Sequence, residues 1–120
     1  MLTLLVVDDD PGIRRAVVRL LGVSNWQVLM ASNGAEAVEL LQRQRADLVL
    51  MDVHMPVMDG LAALRAIRGH PHLRDIPVIM MSAMSPPLPA ELGATAFIEK
   101  PFNAATLAAA LQQALGSVPP

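Results

Sequence analysis

A chain of 120 residues with 53% apolar and 17% charged positions has the size and composition of one globular domain, not of a disordered segment. A net charge of −2, no basic run and only three aromatic residues (Trp26, Phe97 and Phe102) exclude the basic or stacking surface that nucleic-acid binding requires. Without cysteine there is no disulfide or thiolate metal site, and without a signal-type N-terminus or a membrane span the expected location is cytoplasmic.

Leu2–Val7 is an apolar, β-forming run too short for a helix, and Asp8, Asp9 and Asp10 close it. Asp10 before Pro11 has the form of a helix N-cap followed by proline at N1. Pro11–Leu21 then carries Ile13, Val17, Val18 and Leu21 at helical spacing. Gln27–Ala31 is a second short strand, preceded by Trp26, whose default role at that end is packing. Ala35–Gln44 places Ala37, Val38, Leu40 and Leu41 on one helical side. Asp47–Met51 (DLVLM) is a third strand, followed by Asp52. Gly60–Arg68 is a third helix with Leu61, Leu64 and Ile67. His70 and His72 (GHPHL) are spaced i, i+2 but no nearby carboxylate completes a site, so they read as an exposed loop. Pro77–Met81 (PVIMM) is a fourth strand, with Met80, Met81 and Met84 as core filler on and after it. Thr95–Ile98 is a fifth strand, and Ala104–Leu115 a last helix with Leu107, Leu111 and Leu115.

Alternating apolar strands and amphipathic helices predict an α/β fold, a doubly wound parallel sheet covered on both faces. Ligands in such sheets bind beyond the carboxyl ends of the strands. The residues at those ends are Asp8, Asp9 and Asp10, then Asp52, Ser82 and Lys100. Carboxylates converging on one site cost roughly several kcal/mol unless a cation neutralises them. Mg²⁺, a hard ion that takes oxygen ligands and keeps water positions, suits such a set. Lys100 is the only lysine beside eight arginines, and a compact ammonium enters a tight anionic site that a planar guanidinium does not. Metal, ammonium and hydroxyl around one further carboxylate are what an aspartyl phosphate needs.

LLVVDDDPGIRR, LVLMDVHMPVMDG, PVIMMSA and AFIEKPF, in this order, resemble the receiver domain of two-component response regulators over nearly the whole chain. The resemblance implies a flavodoxin-like sheet of five parallel strands in the order 2-1-3-4-5. It implies that Asp52 is the phosphoacceptor and that Asp9 ligates Mg²⁺ directly, with Asp8 acting mainly through water. Asp52 and the backbone carbonyl of His54 would complete the metal set. Ser82 matches the switch hydroxyl, Lys100 the phosphoryl-binding ammonium and Phe97 the rotating aromatic. Pro56 and Gly60 shape the loop after Asp52, and the His54 side chain projects toward the phosphoryl group, where the family tunes hydrolysis. A cis bond at Lys100–Pro101 is also implied. The implied partners are a sensor histidine kinase or phosphotransfer protein upstream and an effector domain or protein downstream. A phosphorylation-dependent homodimer is compatible with the family, while membrane and direct nucleic-acid contacts are not implied. The receiver domain is expected over 1–116, with 117–120 a linker start or frayed C-terminus.

Two other readings compete for the same residues. A phosphate-independent interaction module would not need the full set of acids, hydroxyl and lysine. An aspartate-nucleophile hydrolase resembling the haloacid dehalogenase class would need a cap for which 120 residues leave no room. Phosphate loops of the GxGxxG or GxxxxGK kind are absent. One departure from the family stands out. Ser82 and Lys100 are about four residues closer than usual, roughly one helical turn, and Pro86, Pro87 and Pro89 fall between them. The family's fourth helix, between the fourth and fifth strands, is therefore expected to be shortened or irregular. That would uncover the uncharged face of the last helix.

Overall fold

The computed structural model describes residues 1–22, 26–83 and 93–116. Five strands, β1 (Leu2–Val7), β2 (Trp26–Ala31), β3 (Leu48–Asp52), β4 (Val78–Ser82) and β5 (Ala96–Glu99), pair in parallel in the order β2-β1-β3-β4-β5. Four helices are described: α1 (Pro11–Leu21), α2 (Gly34–Arg43), α3 (Gly60–Gly69) and α4 (Ala104–Ala114).

The apolar runs take the central positions because both their faces are covered. Every residue of β3 and β4 is buried, as are the last four of β1. Successive side chains alternate between two cores. Leu5, Val7, Val49, Met51, Val78 and Met80 meet Ala37, Leu41, Ala63, Leu64 and Ile67 from α2 and α3. Leu4, Val6, Leu48, Leu50, Ile79 and Met81 meet Val17, Leu107, Ala110 and Leu111 from α1 and α4. Trp26 packs on the second core at the amino end of the sheet, as its position at the start of β2 predicted. Met80 and Met81 are wholly buried filler; Met84 lies outside the described residues.

Each helix starts on an oxygen-bearing cap. Asp10, Asn33, Asp59 and Asn103 accept from Gly12, Glu36, Ala62 and Thr106 N–H groups, respectively. The Asp10–Pro11 cap is the one expected from sequence.

Three strands start and end one residue later than the apolar pattern suggested. Asp47 uses its side chain as a lead-in, accepting the Thr3 N–H at 2.7 Å. Thr95 does the same for Val78 N–H at 3.0 Å, and Pro77 has no N–H to donate. At the other end the ladder runs on, with Val53 N–H donating to the Met81 carbonyl at 3.1 Å and Lys100 N–H to the Ser82 carbonyl at 2.8 Å, so Asp52 and Ser82 are the last residues of β3 and β4 and not the first residues after them. One-residue shifts also occur in β2, α2, α3 and α4, where Trp26, Gly34 and Gly69 join the elements and Gln44 and Leu115 become C-caps.

The expected shortening of the family's fourth helix falls on residues 84–92, outside the described residues, as does the linker expected at 117–120. Ala104, Ala105, Ala108 and Ala109 of α4 are exposed. Among the described residues no helix is long and apolar enough to cross a membrane.

Candidate functional site

The carboxyl edge of the sheet gathers the last residues of two strands and the residues that follow two others. Asp8 follows β1, Asp52 ends β3, Ser82 ends β4 and Lys100 follows β5. Parallel register brings them together: Asp52 pairs with Met81, Ser82 with Glu99, and Lys100 N–H donates to the Ser82 carbonyl at 2.8 Å. Asp8, Asp52 and Ser82 are 1%, 6% and 4% exposed, whereas Asp9 is open to solvent.

Lys100 Nζ sits between two carboxylates, 2.7 Å from Asp8 Oδ2 and 3.2 Å from Asp52 Oδ1. Burial alone would lower the ammonium pKa. The hydrogen bond to Asp8 and the charges of Asp52 and Asp8 outweigh it, and Lys100 is held above its ordinary value. Asp52 is raised above the ordinary carboxyl value, first by burial and then by the Asp8 charge, with Lys100 opposing. One ammonium therefore does not neutralise the cluster.

Carboxylate oxygens of Asp8, Asp9 and Asp52 all lie within 4.8 Å of one another. Three hard oxygen donors, two of them buried, beside a single ammonium fit a divalent cation such as Mg²⁺. Among the described residues this is the only group of three such side chains with that proximity.

The loop from β3 to α3 is held by close backbone contacts. Gly60 N–H donates to the Val53 carbonyl at 2.8 Å, and a Cβ on Gly60 would lie 2.1 Å from the Asp52 carbonyl oxygen. Gly34, at the start of α2, donates to the Met58 carbonyl at 2.9 Å, and a Cβ there would meet that oxygen at 2.7 Å. Met58 N–H returns to the Pro56 carbonyl at 2.7 Å, closing a γ-turn with Val57 at φ 68°. His54 is exposed two residues beyond Asp52. Phe97 is half-buried against the core under α2 and α3, and Lys100–Pro101 is cis.

His70 and His72 lie elsewhere, at a concavity of about 780 Å³ that Asp47, Asp75 and Pro77 also line. Although Asp47 and Asp75 line the same concavity, no carboxylate completes a metal-ligand group with His70 and His72 among the described residues, as expected. The pair still reads as a turn device: His72 N–H donates to His70 Nδ1 at 3.1 Å.

The sequence reading missed Gly34 and Arg14. The guanidinium of Arg14 donates to the Asp8 carbonyl from the first turns of α1. Arg68 was also unforeseen: it donates to the carbonyls of Gly93 and Ile76 at 2.8 and 2.7 Å and ties the approach to β5 onto α3.

A model of the response regulator receiver domain matches residues 4–112. The chain belongs to that family. It is 34% identical over 119 residues to a probable transcriptional regulator, ycf27, of Porphyridium aerugineum, covering 96% of this chain and 48% of the relative. It thus spans about half the length of the curated relatives it matches. Chemotaxis protein CheY4 of Vibrio cholerae superposes with a TM-score of 0.85 at 33% identity, over 95% of this chain and 98% of that one. The receiver domain of a sensor histidine kinase from Pseudomonas aeruginosa gives 0.84 at 31% identity, over 96% and 98%; that structure has magnesium coordinated in its active-site cleft. The protein is therefore a receiver domain of the two-component response-regulator family, with the flavodoxin-like fold of its relatives.

Proposed function

We propose that this receiver domain accepts a phosphoryl group on Asp52 from a histidine kinase or phosphotransfer protein and thereby switches a surface read by an effector domain or protein. The observation that carries this reading is the Lys100 ammonium bridging Asp8 and Asp52, with Asp9 beside them. A buried pair of carboxylates around one ammonium is costly as pure structure, and useful where charge must be screened during phosphoryl transfer. The receiver unit is assigned to 1–116.

In the forward step an Asp52 carboxylate oxygen attacks phosphorus, and the phosphorus–nitrogen bond of the donor imidazole breaks with its electron pair leaving on nitrogen. An acyl phosphate remains on Asp52. Lys100 gives up part of its contact with Asp52 to meet the phosphoryl oxygens, while Asp8 keeps the ammonium in place. Ser82, at the end of the neighbouring strand, donates its hydroxyl to the phosphoryl group, and Phe97 on β5 repacks with it. Asp9 and Asp52, the His54 carbonyl and, mainly through water, Asp8 would hold Mg²⁺, which when bound would supply Lewis-acid charge neutralisation for the transfer. In the separate dephosphorylation step water attacks phosphorus, the phosphorus–oxygen bond to Asp52 breaks with its electron pair leaving on the carboxylate, and inorganic phosphate is released; the exposed His54 borders that path.

The test is intact-mass analysis after incubation with Mg²⁺ and acetyl phosphate. One added phosphoryl group, labile to hydroxylamine and absent from Asp52→Asn, is expected. Full labelling of Asp52→Asn, or labelling indifferent to a chelator, overturns the assignment.

A further inference from the structure

Asp8 is the most constrained member of the acid cluster, and each of its polar groups has a different partner. Its N–H donates to the Ala31 carbonyl at 3.1 Å as the last bond of the β1–β2 ladder. Its Oδ1 accepts Asp10 N–H at 2.9 Å, and its Oδ2 accepts Lys100 Nζ at 2.7 Å. Its carbonyl points past the end of β2, where Ser32 and Asn33 already lead into α2. A parallel ladder would next supply the Asn33 amide; the Asp8 carbonyl takes the Arg14 guanidinium instead.

That carbonyl belongs to the peptide plane joining Asp8 to Asp9. With the plane fixed on one side by Arg14 and the following turn fixed by Asp10 N–H on Asp8 Oδ1, the Asp9 backbone is held from both ends. Asp9 is itself exposed, with no packing of its own to aim it. We propose that Arg14 is a positioning residue for divalent-cation binding: it sets the Asp8–Asp9 peptide so that the Asp9 carboxylate faces Asp8 and Asp52. This rests on the cation-binding part of the reading above.

Arg14 is a cation beside a cation site, so its two conceivable effects have opposite signs. Acting by charge, Arg14 repels a divalent ion, and its removal tightens binding. Acting by position, its removal loosens Asp9 and weakens binding. Half-buried and aliphatic along its stem, the side chain is replaced with little loss of packing by methionine.

The experiment is calorimetric titration of Mn²⁺ or Mg²⁺ into wild type, Arg14→Met, Arg14→Gln, Arg14→Lys, Asp9→Asn and the double variant Asp9→Asn/Arg14→Met, with thermal unfolding of each without metal. The expected result is about tenfold weaker binding for Arg14→Met, equivalent to about 1.4 kcal/mol, with partial recovery in Arg14→Lys. Binding by Arg14→Met equal to or tighter than wild type overturns the proposal. So does weaker binding matched by an equal loss in Asp9→Asn/Arg14→Met over Asp9→Asn alone, because the effect would then bypass Asp9. Should Arg14→Met fail to fold, Arg14→Gln takes its place, and binding by it equal to or tighter than wild type overturns the proposal. Wild type that binds no divalent ion overturns the cation-site reading and this inference together, a result distinct from any of the variant outcomes.

Discussion

Gly60→Ala sets two effects of opposite sign against each other. Gly60 is the first residue of α3 and has no positive φ, so helix propensity alone favours alanine by about 1 kcal/mol. Its surroundings oppose the change. A Cβ would lie 2.1 Å from the Asp52 carbonyl oxygen and 2.8 Å from Met80 Cε. The methionine end can swing away, but the carbonyl belongs to a strand buried along its whole length. Reaching the 3.0 Å that real Cβ atoms respect requires α3 and the end of β3 to part by about 0.9 Å. The Gly60 N–H to Val53 carbonyl bond, now 2.8 Å, would stretch beyond the ordinary range. Overpacking costs about 1–3 kcal/mol and a weakened buried backbone bond about 0.5–1.5 kcal/mol. Net of propensity, a loss of about 1–3 kcal/mol is expected, or roughly 4–12 °C in Tm. Gly69→Ala, at the other end of the same helix with nothing within 4 Å, is the control and should gain up to about 1 kcal/mol. Urea unfolding of both variants reads the difference. A Gly60→Ala chain stabilised as much as the Gly69→Ala control would refute the steric argument. Displacing Asp52 by about 1 Å should also slow its labelling on the order of a hundredfold.

Asp52→Asn should stabilise the fold at neutral pH, by roughly 1 kcal/mol, even as it abolishes labelling. Burial and Asp8 raise the Asp52 pKa in the folded state, so its stabilising contribution is full when protonated and lost as pH rises through the folded value. The advantage of asparagine must therefore shrink on acidification; a Tm difference independent of pH between about 4 and 8 contradicts this. Lys100→Arg should slow acetyl-phosphate labelling at least about tenfold with Tm nearly unchanged, because a planar guanidinium cannot take the single-atom position between Asp8 and Asp52; wild-type labelling rates would sink the fit argument. Val57→Gly should raise Tm, since a β-branched residue at φ 68° carries about 1–3 kcal/mol of backbone strain and Val57 is 85% exposed, with little packing to lose. An unchanged or lower midpoint in urea would show that the turn is not strained.

The local order of the chain determined its element types and the chemistry at their ends. Runs such as LLVV, LVLM and VIMM bury on both faces wherever they pair, so β1, β3 and β4 were legible as central strands. Asp10 before Pro11 was legible as a cap because the oxygen and the N–H it serves are two residues apart. The lone lysine and the strand-end aspartates also pointed to one anionic site, since a doubly wound sheet brings its strand ends to a common edge. What the order of residues could not show was contact at long range. The one-residue displacement of β3 to β5 follows from side chains of Asp47 and Thr95 reaching neighbouring strands at one end and from ladder bonds to the Met81 and Ser82 carbonyls at the other. Gly34 and Gly60 owe their identity to carbonyls of Met58 and Asp52 that approach only after the β3–α3 loop has folded back. Arg14 lies in a helical stretch where either face was open to it, and its role arises because the β1–β2 ladder stops one donor short. Periodicity and charge are properties of neighbours along the chain; a missing donor or a forbidden Cβ exists only between segments that packing has brought together.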